Sequence, residues 1–300
     1  MIKLDGVRAK IKTLEAMPTV PAIVMPLTTM LQLPPERVDV EKVVELVSYD
    51  STIAAQCLRM ANSPLFGRRN TETVRSAVMA LGLKRVQALV LGCCMNQVVP
   101  ADKWAMDPIV FWRHSMACAL VCNRMAKMID YPDPDKAYLA GLLHDLGFLV
   151  NTLTCTEEFR KCIHQASEEH VALHRVEESL LGFTHCQSGK ILAEQWRFSA
   201  EMVEVIEFHH DDGFKPKGVP LVALVHLGDL LCRMRDLGYG YYEAMGVDFA
   251  GDAAWATLVE HYPRLAKIDL ARFTMDIDAA MDEIVATVDA VFKPRQAASG

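Results

Sequence analysis

No histidine occurs before position 114, and all ten histidines of the 300-residue chain lie from there onward. Imidazole chemistry is therefore excluded from the first third. No stretch approaches the roughly 20 consecutive apolar residues that a membrane helix needs; the longest apolar runs, such as 117–122 and 221–225, are far shorter. Residues 1–6 carry no apolar core followed by a small-residue cleavage site, so no secretory leader is expected. The nine cysteines are odd in number and include no CxxC pair. Most sit in apolar helical contexts, Cys118 and Cys122 among them, and read as reduced core thiols of a cytoplasmic protein. Basic residues are outnumbered 31 to 38, for a net charge of −7. That balance argues against a partner such as nucleic acid held by bulk charge. Runs of alternating β-branched residues are also missing, so no sheet is expected.

What is present is helical periodicity and a large apolar fraction. At 51% hydrophobic and 23% charged, the chain can bury a sizeable core. Asp39 caps a helix over 39–48 whose valines and leucine recur three and four apart. Asp50-Ser-Thr opens another, which Asn62-Ser-Pro closes, and Leu81-Gly-Leu separates two more. The apolar pattern lapses near 98–106 around a proline and charged residues, and a boundary falls there. Further helices are expected over 108–128, through the segment Ala140-Gly-Leu-Leu-His-Asp-Leu-Gly-Phe-Leu-Val150, and over 155–169, 172–181, 186–196, 199–210 and 219–235. Two or three more precede a frayed end at 296–300. The reading is all-α: an N-terminal helical bundle over 1–100, a second helical bundle over 101–235, and a helical extension over 236–300.

Residues suited to divalent metals are scattered over the second bundle. His114 lies early in the long helix, and His144 and Asp145 interrupt an apolar run. His185 follows 40 residues later, His209 and His210 end a helix, and Asp229 sits inside the apolar helix 219–235. A buried imidazole or carboxylate needs a partner. For each residue alone, a hydrogen bond in the core or a solvated helix end is a sufficient partner. For the set, mixed imidazole and carboxylate ligation suits a divalent transition metal. Helical spacing cannot bring these positions together; only the fold can.

In this order, the residues resemble the HD superfamily of metal-dependent phosphohydrolases, and more closely its HDOD family, a relative of the HD-GYP phosphodiesterases. The resemblance rests on Met17-Pro-Thr-Val-Pro, Leu58-Arg-Met-Ala-Asn-Ser-Pro-Leu-Phe-Gly67 and Ala77-Val-Met-Ala-Leu-Gly-Leu83 in the first part. It continues through Phe111-Trp-Arg-His-Ser, Ala140-Gly-Leu-Leu-His-Asp-Leu-Gly, Glu178-Ser-Leu-Leu-Gly-Phe-Thr-His-Cys-Gln-Ser-Gly and Ile206-Glu-Phe-His-His, and covers about 15–235. It implies an HD-like bundle with one ion held by His114, His144, Asp145 and Asp229. Asp145 would bridge to a second ion held by His185, His209 and His210. Iron, manganese, zinc or nickel would suit such ligands better than magnesium. The remaining histidines, 164, 170, 174, 226 and 261, are assigned to surface or core.

Two departures bear on function. HD-GYP enzymes carry a lysine after their His-Asp-x-Gly that meets the substrate phosphate, and here that position is Phe148. Their Gly-Tyr-Pro motif is also missing; Asp211–Gly218 fills the 19-residue gap between His210 and Asp229. Arg113 and Lys190 are the nearest candidate cations. HDOD proteins are regarded as bacterial signalling modules without demonstrated hydrolysis. The resemblance thus implies a regulatory module whose partner is a signalling protein or a nucleotide-like ligand; the alternative is a metal-dependent phosphohydrolase acting on a nucleotide or cyclic dinucleotide.

Overall fold

The computed structural model describes residues 4–15, 37–49, 51–66, 70–86, 89–90, 99, 103–210, 219–235, 237–239, 248, 250–267 and 270–292. Among them every long element is helical, and no strand occurs. The segments 16–36, 67–69 and 211–218, which include Met17-Pro-Thr-Val-Pro, Gly67 and the residues between His210 and Asp229, lie outside the described residues, as does the chain end 293–300.

The first part contributes α1 (Leu4–Glu15), α2 (Val40–Tyr49), α3 (Ser51–Ala61) and α4 (Val74–Leu81). Val43 and Val47 of α2 and Ile53, Cys57 and Met60 of α3 are buried at helical spacing. The second part runs through α5 (Pro108–Met128), α6 (Pro134–Leu143), α7 (Leu146–Thr154), α8 (Thr156–Glu169), α9 (Leu173–Leu181), α10 (His185–Gln195), α11 (Ala200–Phe208) and α12 (Pro220–Met234). Then come α13 (Ala253–His261) and the long α14 (Leu270–Phe292). Starts are written locally. Asp107 and Asp133 cap α5 and α6 ahead of a proline in the first turn, and Thr184 with Gln187 forms a reciprocal capping box on α10.

The long α5 is the spine. It packs against α6, α12 and α14, so it is buried nearly all round. α1 packs on α7 and α10, tied by the Lys10 ammonium to the Thr154 carbonyl, and α14 packs on α3 as well as on α5. The first and last of the described helices therefore touch elements far from them in sequence. No helix among the described residues is long and apolar enough to cross a membrane.

The segment expected as one helix through His144 and Asp145 is two. α6 stops at Leu143, a turn carries His144 and Asp145, and α7 starts at Leu146. Asp145 occupies the N-cap position of α7, with φ −98° and ψ 27°, yet its side chain makes no capping hydrogen bond. An aspartate there ordinarily accepts a backbone amide. This one is turned inward instead.

Candidate metal centre

Asp145 faces inward because imidazoles surround it. One oxygen, Oδ2, lies 2.9 Å from His144 Nε2 and 3.9 Å from His114 Nε2. The other, Oδ1, lies 3.1 Å from His209 Nε2 and 3.4 Å from His185 Nε2. His114 Nε2 is in turn 3.4 Å from His144 Nε2 and 3.2 Å from Asp229 Oδ1. The fold thus gathers the seven sequence-predicted residues into two adjoining groups: His114, His144 and Asp229, and Asp145 with His185, His209 and His210. Five separate stretches supply them: α5, the α6–α7 turn, the start of α10, the end of α11, and α12.

Packing at glycine makes one of these approaches possible. A Cβ on Gly147 would lie 1.7 Å from the His185 carbonyl oxygen, and one on Gly189 would lie 2.9 Å from Gly147 N. α7 and α10 therefore cross backbone to backbone, and His185 is carried up to the Asp145 carboxylate.

Each of four histidines is held by its outer nitrogen. Nδ1 of His114 is 2.7 Å from the Leu237 carbonyl, and Nδ1 of His144 is 2.8 Å from the Gly141 carbonyl. Nδ1 of His209 lies 3.1 Å from the carbonyls of Val205 and Ile206. Nδ1 of His185 donates to Glu177 Oε2 at 2.6 Å, and Asn151 steadies the other oxygen of that carboxylate at 3.1 Å. A neutral imidazole that donates from Nδ1 presents a bare lone pair at Nε2, the usual posture of a metal-ligating histidine. His185 Nε2 is buried and has no hydrogen-bond partner. His114 and His144 aim their Nε2 atoms at one another. Donors around one ion at about 2.0–2.2 Å stand roughly 3–3.5 Å apart, and the separations of His114 Nε2 from His144 Nε2, 3.4 Å, and from Asp229 Oδ1, 3.2 Å, match that spacing. The donor set fits a divalent transition metal.

Electrostatics point the same way. Burial pushes Asp145 up, but the imidazoles around it, His144 foremost, outweigh burial and hold it well below the usual carboxylate range. Burial likewise opposes ionisation of Asp229, and the Arg233 guanidinium, with His114 and His210, holds it well below that range. Burial favours neutral His144, yet the Asp145 charge dominates the outcome and raises it to about 10. The cluster attracts positive charge, whether proton or cation.

Several residues at the centre escaped the sequence reading. Glu177 is fully buried at the position between Leu173 and Leu181, four residues from each on the apolar face of α9. A carboxylate in that register was the available signal. Tyr239 donates to Asp145 Oδ2 at 2.5 Å and stacks on Phe148, ring centroids 4.7 Å apart. With Leu237, it brings residues beyond 235 into the site, and no local pattern announces it. Arg113 and Lys190 are engaged elsewhere, with Asp289 at 2.6 Å and Glu207 at 2.8 Å. The cation at the centre is Arg233, one helical turn after Asp229, which grips both Asp229 oxygens. Of the histidines assigned to surface or core, His174 stacks on His210 at 5.3 Å, and His226 Nδ1 donates to the His209 carbonyl at 2.8 Å.

Comparison with known proteins places the chain in a family. A family model for the HDOD domain matches residues 17–212. An uncharacterized protein of Treponema pallidum is 24% identical over 202 residues, covering 66% of this chain and 39% of that protein. Ribonuclease Y of Lawsonia intracellularis is 32% identical over 123 residues, 41% of this chain and 18% of that enzyme. The chain thus spans two fifths or less of the length of these curated relatives. Among solved structures, an HDOD domain protein of unknown function from Geobacter sulfurreducens superimposes with a TM-score of 0.79 at 26% identity, covering 97% of this chain and 98% of that one. A Shewanella amazonensis protein provisionally described as a phosphohydrolase gives 0.67 at 20% identity, over 93% and 97%, a likeness of fold.

Proposed function

This chain belongs to the HDOD family, and from that premise we propose that it is a bacterial signal-transduction module whose HD-type centre holds metal without turning over a substrate. The observation that carries this reading is enclosure. His114, His144, Asp145, His185, His209 and Asp229 are each at most 2% exposed. Tyr239 covers Asp145 from one side, itself only 8% exposed. Phe148, where a phosphate-binding lysine would stand in an HD-GYP enzyme, is packed among Phe111, Phe159, Tyr239 and His185. His210 alone of the seven is partly exposed, and a phosphodiester would have to displace this aromatic layer to reach Asp145 and His185 from the Phe148 side.

His114, His144, Asp145 and Asp229 would hold one ion, and His185, His209 and His210 with Asp145 are the candidates for another. Imidazole-rich ligation favours iron, manganese, zinc or nickel over magnesium. Bound there, such an ion supplies Lewis acidity and an activated water. The protein's own groups do the rest: carbonyls and Glu177 orient the rings, and Tyr239 and Phe148 keep bulk water out. The N-terminal helices hold no histidine and no metal-ligating cluster among the described residues. That supports a docking role for them toward a signalling protein, with a nucleotide-like ligand as the other class of partner.

The phosphohydrolase reading is favoured by one observation, the Arg233 guanidinium beside Asp229 and His210, since phosphoryl transfer needs a cation near the reacting oxygens. One assay separates the two. Protein reconstituted with iron under anaerobic conditions, or with manganese, is offered cyclic dinucleotides and nucleoside monophosphates. The regulatory reading expects at least one ion per chain by elemental analysis and less than about one turnover per minute. Faster turnover, abolished by Asp145→Ala, would make it an enzyme. A content below about a tenth of an ion per chain after reconstitution would remove the metal altogether.

A further inference from the structure

His210 breaks the rule its four neighbours follow. Its Nδ1 lies not against an acceptor but 3.1 Å from Arg233 Nη2. A guanidinium has only donors to offer. Nδ1 must therefore be the acceptor, since a proton there would set two donors against each other. A neutral imidazole carries one proton, so it resides on Nε2. With Nδ1 engaged by Arg233 and Nε2 protonated, His210 has no lone pair left for a metal.

Charge balance agrees. Three buried carboxylates, Asp145, Asp229 and Glu177, surround the centre. One divalent cation together with the Arg233 guanidinium matches them. Two divalent cations plus the guanidinium would leave an excess of positive charge in a buried site, which is strongly unfavourable. Asp229, by contrast, can serve both partners. Its Oδ1 accepts from Arg233 Nε at 3.1 Å and still faces His114, because a carboxylate oxygen has lone pairs to spare.

Resting on the reading that this centre holds metal, we propose that Arg233 is a built-in competitor of the second ion. It closes the His210 position, so the chain takes a single ion at His114, His144, Asp145 and Asp229. A lone ion lacks the paired arrangement in which two cations clamp the attacking and leaving oxygens of a phosphoester. Arg233 thereby sets metal stoichiometry, and with it the silence of the centre toward hydrolysis.

The test counts ions and needs no turnover. Manganese is titrated calorimetrically into metal-free full-length wild type, Arg233→Met and Arg113→Met, whose parent residue pairs with Asp289 away from the cluster. Elemental analysis and electron paramagnetic resonance follow on the loaded proteins. We expect one ion per chain in wild type and Arg113→Met, with the spectrum of isolated manganese. Arg233→Met should take two, the second bound at least tenfold more tightly than any second event in wild type, with an exchange-coupled signal. Two tightly bound ions in wild type would overturn the inference by itself, whether or not the variant folds. One ion in both wild type and Arg233→Met would overturn it too, while leaving the metal centre standing. No ion in any protein would overturn both.

Discussion

Replacing Gly147 by alanine should separate the two halves of the centre, and the size of the effect follows from one contact. The added Cβ would sit 1.7 Å from the His185 carbonyl oxygen and 2.5 Å from the carbonyl carbon. Carbon and oxygen ordinarily approach no closer than about 3.3 Å, so α10 must retreat from α7 by roughly 1.5 Å. The partner at the crossing cannot absorb this, because Gly189 already lies against the backbone of Gly147. His185 Nε2, now 3.4 Å from Asp145 Oδ1, would move to about 5 Å, outside the span of one coordination sphere. Overpacking of this kind costs about 2–3 kcal/mol, which lowers Tm by roughly 3–5 °C for a chain of this size. Thermal unfolding of metal-free protein reads the packing, and manganese titration reads the centre. Gly6→Ala is the control, since a Cβ there meets nothing within 4 Å. A Gly147→Ala protein whose Tm falls by less than 2 °C would refute the claim that this crossing has no room for a Cβ, while manganese affinity should stay close to wild type because the single ion sits on His114, His144, Asp145 and Asp229.

Metal affinity should rise with pH. His144 is raised to about 10 in the metal-free protein, so an incoming ion must displace its proton. Apparent affinity should increase up to about tenfold per pH unit between 6.5 and 10 and then level off; titrations in buffers of different ionisation enthalpy, showing no proton release at pH 8, would contradict this. Stability of the metal-free protein should follow the same groups. The His144 contribution is fully present below the ordinary imidazole value near 6.5 and is lost as pH rises through about 10. The contributions of Asp145 and Asp229, both held low, are present above the ordinary carboxylate range and are lost as pH falls beneath it. Burial holds His209 and His210 below the ordinary imidazole value, so their contribution is lost as pH falls beneath about 6.5, and denaturant midpoints should therefore peak near pH 6.5. Glu177→Gln keeps the shape but removes the charge that anchors His185 Nδ1; with the single ion on His114, His144, Asp145 and Asp229, metal affinity should stay close to wild type, and a drop of about 10- to 100-fold would bring His185 into the ligand set.

The sequence alone determined the helical class and most element positions, because helix formation is read from residues three and four apart and from caps next to them. The stretch 219–235 was legible in its valines and leucines, and α5 in its proline start after Asp107. The candidate ligands were legible as residue types as well, His144, Asp145 and Asp229 as polar groups in apolar segments and His209 with His210 as a pair ending a helix. What local pattern could not decide was how they combine. The helix break at His144–Asp145 runs against a nearly unbroken apolar run, and it exists because four imidazoles pull the Asp145 carboxylate away from the α7 amides. Arg233 was invisible as a member of the site, since a lone arginine on a helix is ordinarily solvated. Only the rotation of α12 against α11 brings it to His210. Tyr239 reaches Asp145 across 94 residues of chain, a contact that no periodicity encodes. Secondary structure is a property of neighbours along the chain, whereas this centre is a property of five segments that tertiary packing brings together, and burial of their apolar faces is what fixes which nitrogen meets which oxygen.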